Sequence, residues 1–326
     1  VPDPVRVRPA EPAELPTLLA LPDDPTGEAV PDRAERNDGT AAYLSGLLAK
    51  KCTRPDWCFL AGQDGAPPRG SVVLWSLPEQ PAPDAVVLVE APWDDADEGR
   101  SVALPLLEHA CAEARARGAD ELLYVIDAPV QPPQYQYHPA ARERVFADAG
   151  FALVRAGRRF RWLAGQEVPP EDPRLTFRGL PELGEEPFVA LLTRLLADTA
   201  DQWLAADVAE YGLRGAAEKL FADSRELEHD PAWYEIGFTG DGAPAAVSLP
   251  AVSPAFPVIG FVGVDPAHRG QGFSASVVAR GTRILAAHGA TEIRGDCDAG
   301  NAAMARGFER GGYVTFADRR ELIRKL

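Results

Sequence analysis

Apolar residues recur along this chain with two alternating periods. A period near two marks short strands, and one near 3.6 marks helices. From position 273 to 288, Val277, Val278, Gly281, Ile284, Leu285 and His288 form a single stripe of a helix. Short apolar runs bounded by Gly, Pro or Asp-Gly predict strands over 235–238, 245–249, 258–264 and 292–298, and a closing strand over 313–323. Further helices are predicted over 188–196, 213–221 and 302–309. Strands and helices that alternate in this way place the chain in the mixed α/β class.

The same plan occurs twice. Asp64-Gly65-Ala66-Pro67 precedes an apolar run, as does Asp241-Gly242-Ala243-Pro244, 177 residues later. A strand meets Pro92 in one half and Pro266 in the other, and a helix ends at Gly118-Ala119 and again at Gly289-Ala290. Phe146-Ala147-Asp148-Ala149-Gly150-Phe151 answers to Phe308-Glu309-Arg310-Gly311-Gly312-Tyr313. Landmarks kept in order while their spacing drifts are the trace of a duplication with loop insertions. Gly165, Pro169, Pro170 and Pro173 interrupt regular structure between the copies, so two domains are expected, 1–165 and 166–326.

With 326 residues the chain is long enough for two cores. Its 33 Lys and Arg against 49 Asp and Glu give a formal charge of −16, which argues against a general nucleic-acid binder. No apolar run reaches the roughly 18 residues that span a bilayer, and Val1-Pro2-Asp3-Pro4 has neither a basic nor an apolar leader segment. A cytoplasmic protein without membrane association is expected. Cys52, Cys58, Cys111 and Cys297 contain no C-x-x-C pair, and the histidines form no H-E-x-x-H pattern, so free buried thiols and no metal are expected.

The densest chemistry lies in Val262-Gly263-Val264-Asp265-Pro266-Ala267-His268-Arg269-Gly270-Gln271-Gly272-Phe273-Ser274, ahead of the predicted helix. A strand that turns through glycines into a helix start aims several unpaired N–H groups one way, with the positive end of the helix dipole behind them. Such a nest binds phosphate oxygens. The stretch resembles the acyl-CoA loop of the GCN5-related N-acetyltransferase (GNAT) family, whose pattern is Arg or Gln, two residues, Gly, one residue, then Gly or Ala. Arg269, Gly272 and Ser274 fall on those places, Ser274 being a polar departure at the last.

The resemblance covers most of 174–326 and implies two tandem GNAT-like domains, each a mixed, mostly antiparallel sheet flanked by helices, in a layout similar to mycothiol synthase. It implies acetyl-CoA, or another short acyl-CoA, as donor. Arg269, Gly270, Gln271, Gly272, Phe273 and Ser274 would hold the pyrophosphate. Val262 and Val264 would pair with the pantetheine arm through their backbones, and Asn301 and Phe308 would lie near the thioester. In the first copy the corresponding loop is Ala91-Pro92-Trp93-Asp94-Asp95-Ala96-Asp97-Glu98-Gly99-Arg100, whose four carboxylates would repel a pyrophosphate. No CoA binding is expected there.

The implied reaction moves an acetyl or short acyl group to a small primary amine by direct attack on the thioester, with no metal. The chain acting on it would be a monomer or weak homodimer. An amine of pKa ~10.4 is mostly protonated at pH 7, so a base is required. Glu235 on its predicted strand is one candidate and would face the acceptor if Tyr234 and Ile236 face away, and Asp198, Asp201 and Asp207 sit in the segment between the predicted helices 188–196 and 213–221. The family's usual acid is a tyrosine where this chain has Phe308, and Tyr211 or Tyr234 are the replacements to weigh. The alternative is a CoA-binding pseudoenzyme or acyl-CoA sensor without turnover.

Overall fold

The computed structural model describes residues 5–15, 18, 33–63, 65–78 and 80–326. Asp64 and the amino-terminal tetrapeptide named above lie outside them. The chain divides into two compact units, residues 1–154 with 319–326, and residues 155–318.

In the first unit the order is β1 (Arg6–Pro9), α1 (Arg33–Ala49), β2 (Cys58–Gly62), β3 (Gly70–Trp75), β4 (Ala85–Glu90), α2 (Ala96–Ala116), β5 (Glu121–Ala128) and α3 (Pro139–Asp148). Strands β1 to β4 pair antiparallel in sequence order. Helix α2 buries Gly99, Val102, Ala103, Leu106, Leu107, Ala110, Cys111 and Ala114, a stripe at helical spacing that lies across β2 and β3. Strands β4 and β5 are parallel but pair only at Ala85↔Leu123 and Val86↔Tyr124, so they fork beyond Val86.

The second unit opens with the latter part of β6 (Ala152–Leu163) and continues through β7 (Thr176–Gly179), α4 (Leu180–Leu183), α5 (Glu186–Leu196), α6 (Gln202–Ser224), β8 (Glu235–Phe238), β9 (Pro244–Val252), β10 (Pro257–Val264), α7 (Phe273–Ala287), β11 (Glu292–Asp298), α8 (Ala302–Arg310) and the start of β12 (Val314–Lys325). Its strand order is β6-β11-β10-β9-β8-β7. Only β10 and β11 are parallel, and their one register pair is Val258↔Arg294. A register shift between Ile259 and Phe261 leaves Gly260 as a bulge in β10. A Cβ there would stand 2.9 Å from the Leu249 carbonyl oxygen, so glycine is required. In the first unit Val87 on β4 is skipped in the same way. A bulge bends the strand, and in each unit the fork opens beyond it.

Expected and observed elements coincide for 235–238 and 292–298 and nearly so for 273–287. Gly212, at φ 72°, breaks α6 into two pieces, and the predicted 213–221 falls in the second. The first piece is half-exposed and carries little apolar periodicity. The domain boundaries also differ from 1–165 and 166–326. Residues 157–163 of β6 pair with β11 in the second unit. Residues 319–326 join the first, where Leu322 enters the core, Leu326 N–H donates to Asp120 O at 2.8 Å and Arg319 holds Asp127 at 2.9 and 3.0 Å. Each copy's closing strand thus completes the other copy's unit. Gly and Pro show where the chain is irregular, not which unit a strand will join.

No described helix is long and apolar enough to cross a membrane. All four cysteines are buried and free.

Candidate functional site

The fork between β10 and β11 in the second unit opens into a cavity of about 410 Å³. Val262, Val264, Arg269, Gly270, Gly272, Phe273, Ser274, Asn301, Phe308 and Asp198 all line it. Backbone direction on β10 follows from one bond: Asp265 N–H donates to Ala245 O on β9 at 2.8 Å. Alternate residues face alternate edges, so Gly263 turns to β9 and the backbone groups of Val262 and Val264 turn to the fork. Arg269 Nε reaches Val264 O at 3.4 Å from that side.

At the mouth of the fork Gly270 and Gly272 adopt φ of 78° and 88°, and a Cβ on either would meet no atom within 4 Å. Gly272 is the N-cap of α7 and offers no side chain to its first turn. Among the described residues, no protein acceptor takes the amides of residues 270–274. Unpaired N–H groups at a helix start, lining a cavity, fit the pyrophosphate of an acyl-CoA. Gln271 is the one residue of 268–274 outside the cavity wall, and its carbonyl accepts from Arg174 at 2.9 Å.

Arg269 ion-pairs with Asp198 at 2.5 Å, and that hydrogen bond holds the Asp198 carboxyl below its ordinary range. Asn301 caps α8, accepting from Met304 N–H at 3.1 Å. Phe308 is 1% exposed and stacks on Phe160 with ring centroids 4.8 Å apart. It forms part of the cavity floor and carries no proton.

Two of the expected catalytic residues lie elsewhere. Glu235 does face away from Tyr234 and Ile236, which pack into the core beside α5 and α6. The face it occupies meets α7, not the cavity. There Arg280 clasps it with two bonds of 2.6 and 2.8 Å. Tyr211 is 49% exposed beside the Gly212 break and lines no part of the cavity. Tyr234 is buried, and its hydroxyl donates to Ser224 O at 2.6 Å.

No family model matches the chain. It is 27% identical over 291 residues to the Mycothiol acetyltransferase of Clavibacter michiganensis subsp. michiganensis, covering 86% of this chain and 85% of that protein. To the protein of the same name in Clavibacter sepedonicus it is 28% identical over 292 residues, covering 87% and 86%. A GCN5-related N-acetyltransferase from Sphaerobacter thermophilus matches all of this chain and 96% of its own at a TM-score of 0.62 and 16% identity. A tandem GNAT protein from the clavulanic acid biosynthesis pathway covers 98% of both chains at a TM-score of 0.50 and 15% identity. The chain has the tandem GNAT fold.

Within this GNAT layout the first copy has the same fork, but filled. Arg142 on α3, at the place of Met304 on α8, donates to Val89 O at 2.7 Å, to Tyr137 O at 2.6 Å and to both oxygens of Glu90 at 3.2 Å. Arg36 on α1 meets the same carboxylate at 2.6 Å, and Trp93 lies 4.6 Å from the Arg142 guanidinium. Arg36 and Arg142 are each 1% exposed. At the helix start, Asp95 is the N-cap of α2 and accepts from Asp97 and Glu98 N–H at 3.0 and 2.9 Å. The carboxylate occupies the position that Gly272 leaves open in the second copy.

Of the opposite wall of the second GNAT cavity, formed by Asp201, Asp296 and Asp298, sequence reasoning named Asp201 and passed over the other two. Asp296 and Asp298 share a face of a predicted strand, a spacing that could have been read. Arg155, which binds both, lies on the exchanged strand, and nothing local in the sequence announces it.

Proposed function

We propose that the chain is an N-acetyltransferase whose second copy takes acetyl-CoA, or another short acyl-CoA, and transfers the acyl group to a small primary amine. The observation that carries this reading is the open β10–β11 fork with unpaired amides at its mouth. The amides of residues 270–274 hold the pyrophosphate, with the Arg269 guanidinium, still paired with Asp198, beside them. The backbone edges of Val262 and Val264 pair with the pantetheine arm, and Val262 N–H, facing the fork, polarises the thioester carbonyl. Asn301 and the flat ring of Phe308 bound the reacting end. The curated relatives named as acetyltransferases support the reaction class.

The first copy binds no acyl-CoA in this account, because a buried guanidinium fills its fork and a carboxylate its anion site. No metal takes part. Phe308 leaves no tyrosine to protonate the departing thiolate, but a thiol of pKa ~8.5 leaves adequately without one.

The same phenylalanine favours a second reading, a CoA-binding sensor without turnover. Thiol release from acetyl-CoA, followed with a panel of primary amines, separates the two. The transferase reading expects amine-dependent release, abolished in Gly272→Glu, which puts a carboxylate among the loop amides. Acetyl-CoA binding with no release on any amine supports the sensor.

A further inference from the structure

Asp201, Asp296 and Asp298 share the cavity with the glycine loop, and one cation stands among them. Arg155 on β6 donates from Nε to Asp298, from Nη2 to Asp296 at 2.8 Å, and stands 3.7 Å from Asp201 Oδ2. Asp298 is 4% exposed and accepts from Gln202 N–H at 2.8 Å through its second oxygen, so both of its oxygens are engaged. Asp198, further along the wall, is neutralised by Arg269. Asp201 differs from all of these. Its Oδ1 caps α6 through Leu204 N–H at 3.0 Å, while Oδ2 has, among the described residues, the long contact to Arg155 alone.

We propose that Asp201 receives the proton of an ammonium-bearing acceptor, and that Arg155 is the positioning residue that holds Asp296 and Asp298 around it. This rests on the transferase reading above. Three carboxylates against one guanidinium leave an excess of negative charge where an acceptor must approach, which draws in a cation. Burial is the main cause that holds the Asp201 carboxyl above its ordinary range, with Asp298 and Asp296 adding to it and Arg155 and the Leu204 amide opposing it. Protonating Asp201 removes one of the three like charges.

The step balances. The ammonium R–NH3+ gives one proton to Asp201 Oδ2. The neutral nitrogen then attacks the thioester carbon, the N–C bond forms and the C–S bond breaks with its electron pair on sulfur. The second proton lost by nitrogen ends on that sulfur as free thiol, and Asp201 returns the first to solvent. Nothing is oxidised or reduced.

Asp201→Asn is the test, because asparagine keeps the α6 cap and cannot take the proton. The probes are ethanolamine, an ammonium at pH 7, and hydroxylamine, already neutral there, each with acetyl-CoA. Wild-type binding of acetyl-CoA is expected in the variant, with kcat/KM for ethanolamine down about 100-fold or more and that for hydroxylamine within about threefold. The acid limb of the wild-type pH profile, where Asp201 becomes protonated, should disappear. Arg155→Lys keeps the charge but loses the two-pronged grip, and should move that limb to higher pH. An unchanged ethanolamine rate, or an equal loss on both probes, overturns the assignment of Asp201, and an unmoved limb removes Arg155. A wild-type protein that binds acetyl-CoA yet releases no thiol with either probe overturns the transferase reading instead.

Discussion

Gly272 and Asp95 cap corresponding helices, and the difference between them is the difference between the copies. A glycine at φ 88° leaves the amides of its turn facing the cavity, whereas Asp95 satisfies two amides of its own helix. That contrast was legible in the sequence, because glycines and carboxylates declare themselves locally. The ionic filling of the first fork was not, since Arg36, Glu90 and Arg142 come from three separate elements and meet only in the fold. Glu235 shows the same limit, because strand alternation gave its face correctly but not which helix would cover that face. For Arg142→Met, which copies the residue of the second fork, we expect a loss of about 3 kcal/mol in urea unfolding and no second acyl-CoA site. Glu90→Gln should cost more, since it leaves two buried guanidinium groups facing each other without a counter-charge. Equal or negligible losses would show that the cluster does not hold the first fork closed.

At the scale of elements, what the chain repeats is a strand, bulge, fork and helix start. Periodicity recovered most strands and helices of the second copy, because each buries one face and the pattern of burial is local. It missed the exchange of closing strands, because β6 and β12 have the same alternating pattern wherever they pair. The exchange has a direct consequence. A fragment of residues 166–326 lacks the strand that pairs with β11 and the Arg155 that binds Asp296 and Asp298. A fragment of residues 1–165 lacks Leu322 in its core and the Arg319–Asp127 pair. Each fragment made alone is expected to show no cooperative unfolding transition by circular dichroism. Cooperative melting of either fragment by itself would contradict the strand assignment.

For the whole molecule, the charge of −16 is compatible with an anionic donor because the loop offers backbone amides and one arginine at the point of contact. Part of the acidic excess lies on the cavity wall formed by Asp201, Asp296 and Asp298. Raising salt should therefore raise the apparent KM of a cationic amine and leave that of a neutral one nearly unchanged. Equal effects on both would remove charge from acceptor selection. The central claim is that one fold is used twice and only the second fork takes acyl-CoA. Calorimetric titration of the full chain with acetyl-CoA tests it most directly. One site per chain, lost in Gly272→Glu, is the expected result, and two sites, or one that survives that substitution, would contradict it.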